Sequence, residues 1–402
     1  MSSTTARGIQ YPTSGDNIAP LETVFATLAS TTNTAMGNLS ATDIASGTLP
    51  ITRGGTGAVT ADTALVSLGA MPAGSESAGK NYLLNSDFSI WQRATSFANP
   101  ADGMFTADRW SVAYNGTGAT RTVSRQAFTP GTAPVSGYES EFFFRYAVSV
   151  AGTSNTYNLI SNKIEGVRTL AGQTATYSFW AKADTARNIG FDVEQNFGTA
   201  GSAQLNTAFS TQWYRNGVAV GAANASAVAI DTTWARYSAT VTILGIAGKT
   251  INANNYVNIR WNLPSAVIQT IDIWGAQLEA GSILTPFGTN AGNPQAELAA
   301  CQRYYTKVSV SASSTVFFGY NFTTTEHRTQ ITLPVNMRTT SPTLTYTTNP
   351  TCVFTGAGAW SATASVSMLG NIALIKSTTA TATINVLIGL QTNADFSFAA
   401  EL

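Results

Sequence analysis

Charged side chains are scarce in this chain of 402 residues. Asp, Glu, Lys and Arg together make up 10% of it, against about 25% in an ordinary globular domain. The 21 basic and 21 acidic side chains cancel, and the basic ones form no tail or stripe. Because nucleic-acid binding requires clustered cations that neutralise phosphates, this class of partner is disfavoured. The absence of net charge also removes repulsion between copies, which favours a permanent oligomer.

Histidine and cysteine, which supply many metal ligands and nucleophiles, are almost missing. The chain has one histidine, His327, and two cysteines, Cys301 and Cys352. A zinc site of the His and Cys type needs four ligands, so we expect no cofactor and two buried free thiols. His327 has no nucleophile motif around it and is interpreted as a surface or interface residue. Because a nucleophile elbow and a P-loop are also absent, we expect the protein not to be an enzyme.

Long apolar runs are absent as well. No stretch of about 18 apolar residues could span a membrane, so membrane insertion is not expected. Residues 1–11 are polar and do not resemble a signal peptide. The sequence therefore predicts synthesis in the cytoplasm, and any route to the outside would be other than secretion.

Composition divides the chain into four regions. The first, residues 1–46, contains one helical pattern. In it Leu21, Val24, Phe25 and Leu28 recur at three- and four-residue spacing. Such a short apolar stripe is marginal alone in water and is expected to pack against copies of itself. A helix on the surface of a single domain is the alternative.

Residues 47–80 are small, polar and rich in glycine. They include Arg53, Gly54, Gly55 and Gly57, which lack the Lys-Ser/Thr end of a phosphate-binding loop. In a monomer this region would be a disordered linker. In a trimer it would be an intertwined stem, in which glycine permits close approach of the backbones.

Residues 81–288 and 289–402 have the pattern of β-structure. The first region is rich in aromatic residues, and its short alternating runs are separated by Gly, Asn, Pro and Asp. Many short strands at regular spacing are typical of a β-sandwich. The second region begins with a short helical pattern near Asn293 and continues with alternating runs, which indicates a smaller β-domain. The predicted fold class is therefore mostly β.

Aromatic side chains are the best candidates for ligand binding, because the apolar face of a sugar ring stacks on Trp or Tyr. Trp213, Tyr214 and Arg215 lie in a polar, turn-like stretch, where two buried rings are not expected. Trp180 is the second candidate, since it alternates out of phase with the neighbouring aromatic residues. The general alternative is that these rings belong to the core.

Two carboxylates, Asp192 and Glu194, lie two residues apart on a predicted strand and would project from the same face. Such a pair could hydrolyse a glycosidic bond as general acid and base. Asp192 could also accept hydrogen bonds from a bound sugar. The alternative is a solvated polar strand face without chemistry.

Three stretches resemble the tail fibres and tail-fibre-like adhesins of tailed bacteriophages. The first is a Leu-Pro-x-x-Arg-Gly-Gly-Thr-Gly pattern at residues 49–57. The second is the run Asn-Tyr-Leu-Leu-Asn-Ser-Asp-Phe-Ser-Ile-Trp-Gln-Arg at residues 81–93, which continues at residues 105–110. The third begins with Trp-Gly-Ala-Gln-Leu-Glu-Ala-Gly-Ser at residues 274–282 and extends to the Cys-Gln-Arg-Tyr-Tyr run that ends at Tyr305. The three occur in the family's order.

The resemblance implies a homotrimer that is part of the virion. Its N-terminal region would attach to phage baseplate or tail proteins, and its C-terminal end would face the host. The region 81–288 would be a jelly roll similar to a carbohydrate-binding module, and it would bind a host cell-surface polysaccharide. A tailspike depolymerase that cleaves the glycan, and a purely structural connector of baseplate and fibre, are the alternatives.

The same resemblance raises the question of calcium, which many such modules hold near the ends of the sandwich. The matching positions are Asn85, Asp87 and Asp272. Ser89 stands where the family motif has an acidic residue, and calcium requires six to eight oxygen ligands. We therefore expect no metal.

Overall fold

The computed structural model divides the chain into two compact units, Met1–Gly74 and Ser75–Leu402. It describes residues 3–4, 10–11, 21–37, 64, 81–135, 139–309, 314–346, 351–352, 364–378, 387–392 and 395–402. The described elements are almost all antiparallel strands, which confirms the mostly β fold class. The division into four regions stays a prediction.

The described residues of the first unit include two short strands and a helix. Strand β1 (Ser3–Thr4) pairs antiparallel with β2 (Gln10–Tyr11), and helix α1 spans Leu21–Gly37. The helix expected in this region is therefore present. Within the single chain, Phe25 of the apolar stripe is 60% exposed, whereas Leu28 is partly buried.

The other residues assigned to the trimeric stem lie outside what the structure describes. They are the side chains of Leu21 and Val24, and the residues Arg53, Gly54, Gly55 and Gly57. Trimerisation through the helix and the stem therefore stays a prediction.

A β-sandwich of two antiparallel sheets lies between residues 96 and 280. Its strands, in chain order, are β3 (Ser96–Ala98), β4 (Met104–Phe105), β5 (Trp110–Tyr114), β6 (Thr120–Ala127), β7 (Phe142–Val150), β8 (Asn158–Glu165), β9 (Thr174–Ala183), β10 (Arg187–Asn196), β11 (Leu205–Ala208), β12 (Thr211–Arg215), β13 (Val218–Ala225), β14 (Ala227–Ile230), β15 (Ala235–Thr242), β16 (Tyr256–Asn262) and β17 (Gln269–Ala280). The eight-stranded sheet has the order β13-β12-β15-β9-β17-β7-β6-β3. The seven-stranded sheet has the order β11-β10-β16-β8-β5-β4, with β14 also paired to β10.

Aromatic side chains fill the space between the two sheets. The Phe179 ring lies 4.9 Å from Phe191 and 5.0 Å from Trp261, measured between ring centroids. The indole Nε1 of Trp261 donates a hydrogen bond to the hydroxyl of Tyr177, so the polar tips of two buried rings satisfy each other. Each such ring removes a large apolar area from water, and together these residues supply the main stabilising contribution of the sandwich.

A β-bulge in strand β17 changes which side chains face the core. Before it, Ile271 and Ile273 are buried in the core cluster, and after it Leu278 occupies the same cluster. The register against β9 shifts between Trp274 and Gln277, and Gly275 within the bulge has φ +62°. Side chains that would otherwise alternate inward at the end of β17 therefore point to the outer face of the sheet.

The C-terminal part begins with helix α2 (Pro294–Gln302), whose N-cap Asn293 accepts a hydrogen bond from the backbone N–H of Ala296. Its strands are β18 (Tyr305–Val308), β19 (Ser314–Thr323), β20 (Glu326–Thr332), β21 (Thr343–Tyr346), β22 (Thr351–Cys352), β23 (Ala364–Leu369), β24 (Ile372–Thr378), β25 (Leu387–Thr392) and β26 (Phe396–Ala399). They form a three-stranded sheet β18-β26-β21 and a six-stranded sheet β22-β25-β19-β20-β24-β23. These strands have a small core of their own, which includes Ile331, Ile375 and Phe398.

Ion pairs and cation–aromatic contacts join this C-terminal part to the sandwich. The guanidinium of Arg93 lies 3.1 Å from Asp108 and 2.8 Å from Glu401, and it also covers the Tyr305 ring at 3.7 Å. Arg109 pairs with Glu401 as well. Asp108 is almost fully buried, and burial raises its pKa to about 6 although Arg93 opposes the shift. The junction is thus held by buried polar groups.

Two expectations about single residues have different outcomes. Cys301 is a buried free thiol, as expected, whereas the side chain of Cys352 lies outside the described part. The expectation that His327 is a surface or interface residue is wrong, because it is 0% exposed within strand β20. Burial lowers the pKa of His327. Because the sequence neighbours of His327 are polar, its inward-facing position on strand β20 was not predicted.

We predict that Gly275→Ala destabilises the protein more than Gly281→Ala. Both glycines have positive φ, so both substitutions strain the backbone. Only at Gly275 would the new Cβ also meet a ring, 2.7 Å from Cε3 of Trp180, whereas at Gly281 nothing lies within 4 Å. The free energy of unfolding in urea should fall by about 1–3 kcal/mol more for Gly275→Ala. Equal losses would contradict the packing described for the bulge.

Candidate functional site

An open groove of about 450 Å³ lies on the outer face of the eight-stranded sheet. Strands β12, β15 and β9 and the loop after β17 form it. The side chains that give it its chemistry are Thr176, Gln212, Tyr214, Ser238, Thr240 and Ser282. Among the described residues that line the groove, none is Asp, Glu, Lys, Arg or His. Its lining therefore combines uncharged polar side chains with apolar surface.

The strand register places these side chains in rows. Thr176 of β9 is opposite Thr240 of β15, and Ser238 of β15 is opposite Tyr214 of β12. Since successive residues of a strand face opposite sides, their neighbours along each strand point into the core. Tyr237, for example, is 0% exposed. The floor of the groove is thus a set of hydroxyl groups held by paired backbones.

Tyr214 forms one wall of the groove, and its side chain is 40% exposed. A tight turn at Asn216 and Gly217, both with positive φ, follows directly and joins β12 to β13. The side chain of Asn216 accepts a hydrogen bond from the backbone N–H of Arg236, which fastens this turn to β15. The exposed ring of Tyr214 is therefore carried by a firmly connected hairpin.

The opposite wall is the loop of residues 281–287, which contributes Ser282 and Leu284. The hydroxyl of Thr176 donates a 2.8 Å hydrogen bond to the carbonyl of Gly281, so the floor and this wall are linked. The groove is bounded on one side by an aromatic ring and on the other by this loop.

The expectation that Trp213 stacks on a sugar is wrong. Trp213 is 0% exposed and belongs to the sandwich core, with its ring centroid 4.8 Å from Phe191 and 5.8 Å from Phe209. Its Nε1 donates to the carbonyl of Ala225. Strand alternation buries one ring of the Trp-Tyr pair and exposes the other, so Tyr214 is the residue that lines the groove.

Two other predicted glycan contacts also lie outside the groove lining. Trp180 faces the outer side of the sheet, as its phase predicted, but it is only 7% exposed. It packs against Trp274 at 5.2 Å and Phe287 at 6.0 Å, and the guanidinium of Arg236 covers it at 4.4 Å. Arg215 pairs with Asp231 at 3.2 Å.

Asp192 and Glu194 lie on strand β10 of the other sheet, away from the groove strands. They share a face, as predicted, and both pair with Arg260. Asn262 also donates to Asp192, and the hydroxyl of Tyr256 donates to Glu194. Glu194 is 6% exposed, so the description of a solvated polar face is wrong. The pair belongs to a compact ion-paired network.

The three calcium candidates are engaged in contacts of their own. The side chain of Asn85 donates a hydrogen bond to the carbonyl of Ile90 and accepts one from its backbone N–H. Asp87 accepts from Ser89, and burial raises its pKa. Asp272 lies 2.7 Å from Arg145. Within the described ranges, no group of three or more His, Cys, Asp and Glu side chains could hold a metal ion.

No family model matches the sequence, and no curated protein matches it. Several solved structures are similar in part. The enzymatically active domain of bacteriophage CBA120 tailspike protein 4 aligns at 17% identity and TM-score 0.27 over 46% of this chain and 21% of that one. The family 11 carbohydrate-binding module of cellulase Lic26A-Cel5E from Clostridium thermocellum aligns at 12% identity and TM-score 0.27 over 48% of this chain and 100% of that one.

A third structure is the CBM22-1 xylan-binding domain of Xyn10C from Paenibacillus barcinonensis, at 11% identity and TM-score 0.29, over 52% of this chain and 100% of that one. The chain thus spans about a fifth of the tailspike and the full length of the two modules.

We predict that alanine substitution of the two neighbouring aromatic residues of β12 lowers the free energy of unfolding by very different amounts. Trp213→Ala should lower the free energy of unfolding by about 3–5 kcal/mol, because it leaves a cavity in the core. Tyr214→Ala should cost less than about 1 kcal/mol, because the ring faces solvent. Urea titration of both variants measures the difference. Equal losses would mean that the two rings do not face opposite sides of the sheet.

Proposed function

We propose that the protein is a non-enzymatic, receptor-binding tail fibre of a tailed bacteriophage, and that its sandwich binds an uncharged segment of a host-surface glycan. The observation that carries this proposal is the uncharged groove between Tyr214 and the loop 281–287. It combines one exposed aromatic ring with a floor of hydroxyl groups on rigid strands.

The chemistry of the groove matches that of a sugar. An apolar sugar face can stack on the ring of Tyr214, which is large, rigid and amphipathic. The hydroxyls of Ser238 and Thr240 can each donate and accept hydrogen bonds. The Thr176 hydroxyl already donates to Gly281, and the amide nitrogen of Gln212 donates to the carbonyls of Trp213 and Val220, so these two side chains offer acceptors to a sugar. An acidic sugar would bring a carboxylate beside a lining without a cation, where its lost hydration is not offset. We therefore favour uncharged sugars as the ligand.

The fibre assignment draws on the three sequence stretches and on the first unit. We propose that α1 packs against its copies in a homotrimer and that the N-terminal region attaches to baseplate or tail proteins of the virion. The exposure of Phe25 in the single chain suits such an interface. Three grooves per trimer would raise a weak affinity by avidity. No described helix is long and apolar enough to cross a membrane.

Substitution of Tyr214 tests the binding site. Tyr214→Ala should weaken binding of the full-length protein to a neutral bacterial surface polysaccharide by roughly tenfold or more, which corresponds to at least about 1.4 kcal/mol. Tyr157→Ala is the matched control, because Tyr157 is 37% exposed and does not line the groove. Binding is measured on an array of purified neutral and acidic polysaccharides, with released reducing sugar assayed in parallel.

Each outcome of that array has a definite meaning. Selective loss of binding in the Tyr214 variant supports the proposal. Equal binding by both variants, or a preference for acidic polysaccharides, contradicts the proposed site. Release of reducing sugar would identify a depolymerase, and no binding to any polysaccharide would favour the structural connector.

The oligomeric state is tested separately. Light scattering should give about 126 kDa, which is three copies of 42.1 kDa. Phe25→Asp should shift the protein toward about 42 kDa, since it would bury a carboxylate in each interface. Thr27→Asp, at an exposed position of the same helix, is the control and should stay trimeric. A folded wild-type monomer of about 42 kDa would overturn the trimer.

A further inference from the structure

Glu279 is a buried carboxylate that lies directly beside the groove. It follows the bulge of β17, is 3% exposed and pairs in register with Thr176 of the groove floor. Three donors reach it: the backbone N–H of Thr285 at 3.1 Å, the hydroxyl of Thr285 at 2.6 Å and the side-chain amide of Gln277 at 2.9 Å. One carboxylate therefore fastens the loop 281–287 to the sheet.

The guanidinium of Arg236, on strand β15, holds the same loop. Nη2 of Arg236 donates to the carbonyl of Thr285 at 2.8 Å and to the hydroxyl of Ser178 at 3.0 Å. Burial lowers the pKa of Arg236 to about 10, and the charge of Glu279 opposes that shift. Thr285 is thus held on both its N–H and its carbonyl side by groups of opposite charge.

We infer that Glu279 is the positioning residue of the groove, which keeps Ser282 and Leu284 in place as a preformed wall. This inference rests on the proposed glycan binding. A wall that is already ordered costs no loop entropy when the ligand binds, so its effect appears as affinity. Glu279 itself does not line the groove and needs no contact with the sugar.

The conservative variant Glu279→Gln removes one acceptor and replaces it with an amide nitrogen. The substitution also removes the negative charge that opposes the charge of the buried Arg236, so the hydrogen bonds from Thr285 and Gln277 lose their charge assistance and the loop should loosen. Thr285→Val removes the partner hydroxyl without changing the size of the side chain much, and it is the second variant. Asp272→Asn is the control, because Asp272 is a 3% exposed carboxylate of the same strand that pairs with Arg145 outside the groove.

The experiment combines two readouts on the full-length protein. Hydrogen exchange of peptides that cover residues 281–287 reports on the loop without any ligand. Titration with the neutral oligosaccharide that the wild type binds most tightly reports on the groove. We expect Glu279→Gln and Thr285→Val to speed exchange in this loop and to raise Kd by about tenfold. Asp272→Asn should lower Tm but change neither readout.

The two proposals can fail independently. If the wild type binds the oligosaccharide and both loop variants bind it equally well, the inference about Glu279 is wrong and the glycan site survives. A loss of affinity in Asp272→Asn as large as in Glu279→Gln would likewise contradict a specific positioning role. If the wild type binds no glycan, the proposed function is wrong. If hydrogen exchange in residues 281–287 is the same in Glu279→Gln as in the wild type, Glu279 does not fix the loop.

Discussion

The two-residue alternation of strands β9, β15 and β12 is the constraint on which the site depends. It commits every side chain either to the core between the sheets or to the outer face. Trp213 and Tyr214 are adjacent in sequence, yet one is fully buried and the other is 40% exposed. The bulge at Gly275 then changes the phase of β17, so Glu279 points outward and can hold the loop that closes the groove. The bulge at Gly275 therefore shapes the site.

The scarcity of charge gains a structural meaning from this arrangement. Many of the charged side chains are used inside the molecule, as in the pair Asp272–Arg145 and the cluster of Arg260 with Asp192 and Glu194. Another set joins the C-terminal part to the sandwich through Arg93 and its carboxylate partners. The groove, in contrast, is lined by neutral groups. Its proposed preference for uncharged sugars follows from where the charges are placed.

Local patterns in the sequence predicted the mostly β class, the sandwich and the start of α2 near Asn293, because alternation and turn residues are local signals. The identity of the site could not be predicted in the same way. Trp180 has the right phase but is covered by a loop, and such coverage depends on residues far away in sequence. His327 was assigned to the surface because its sequence neighbours are polar, although it lies at an inward-facing position of β20.

Glu279 and the hydroxyl floor of the groove were missed, since Ser, Thr and Glu are too common to stand out in a sequence. The second and third of the stretches that resemble phage fibres, which the structure describes, form contacts that hold the framework together. The side chain of Asn81, for example, accepts from the backbone of Leu83 and Leu278 and donates to the carbonyl of Gly288. These contacts tie the beginning of the sandwich to its end. The resemblance therefore identified residues that join the two ends of the sandwich. The groove could be recognised only from the register of strands β12, β15 and β9.

The most direct test of the central claim is a crystal structure of the full-length protein with a neutral oligosaccharide from the bacterial surface. The account predicts a sugar ring stacked on Tyr214, with hydroxyls bonded to Ser238 and Thr240, and no movement of the loop 281–287. A sugar bound elsewhere, for example on the exposed rings of Tyr320 and Phe322 in β19, would contradict it.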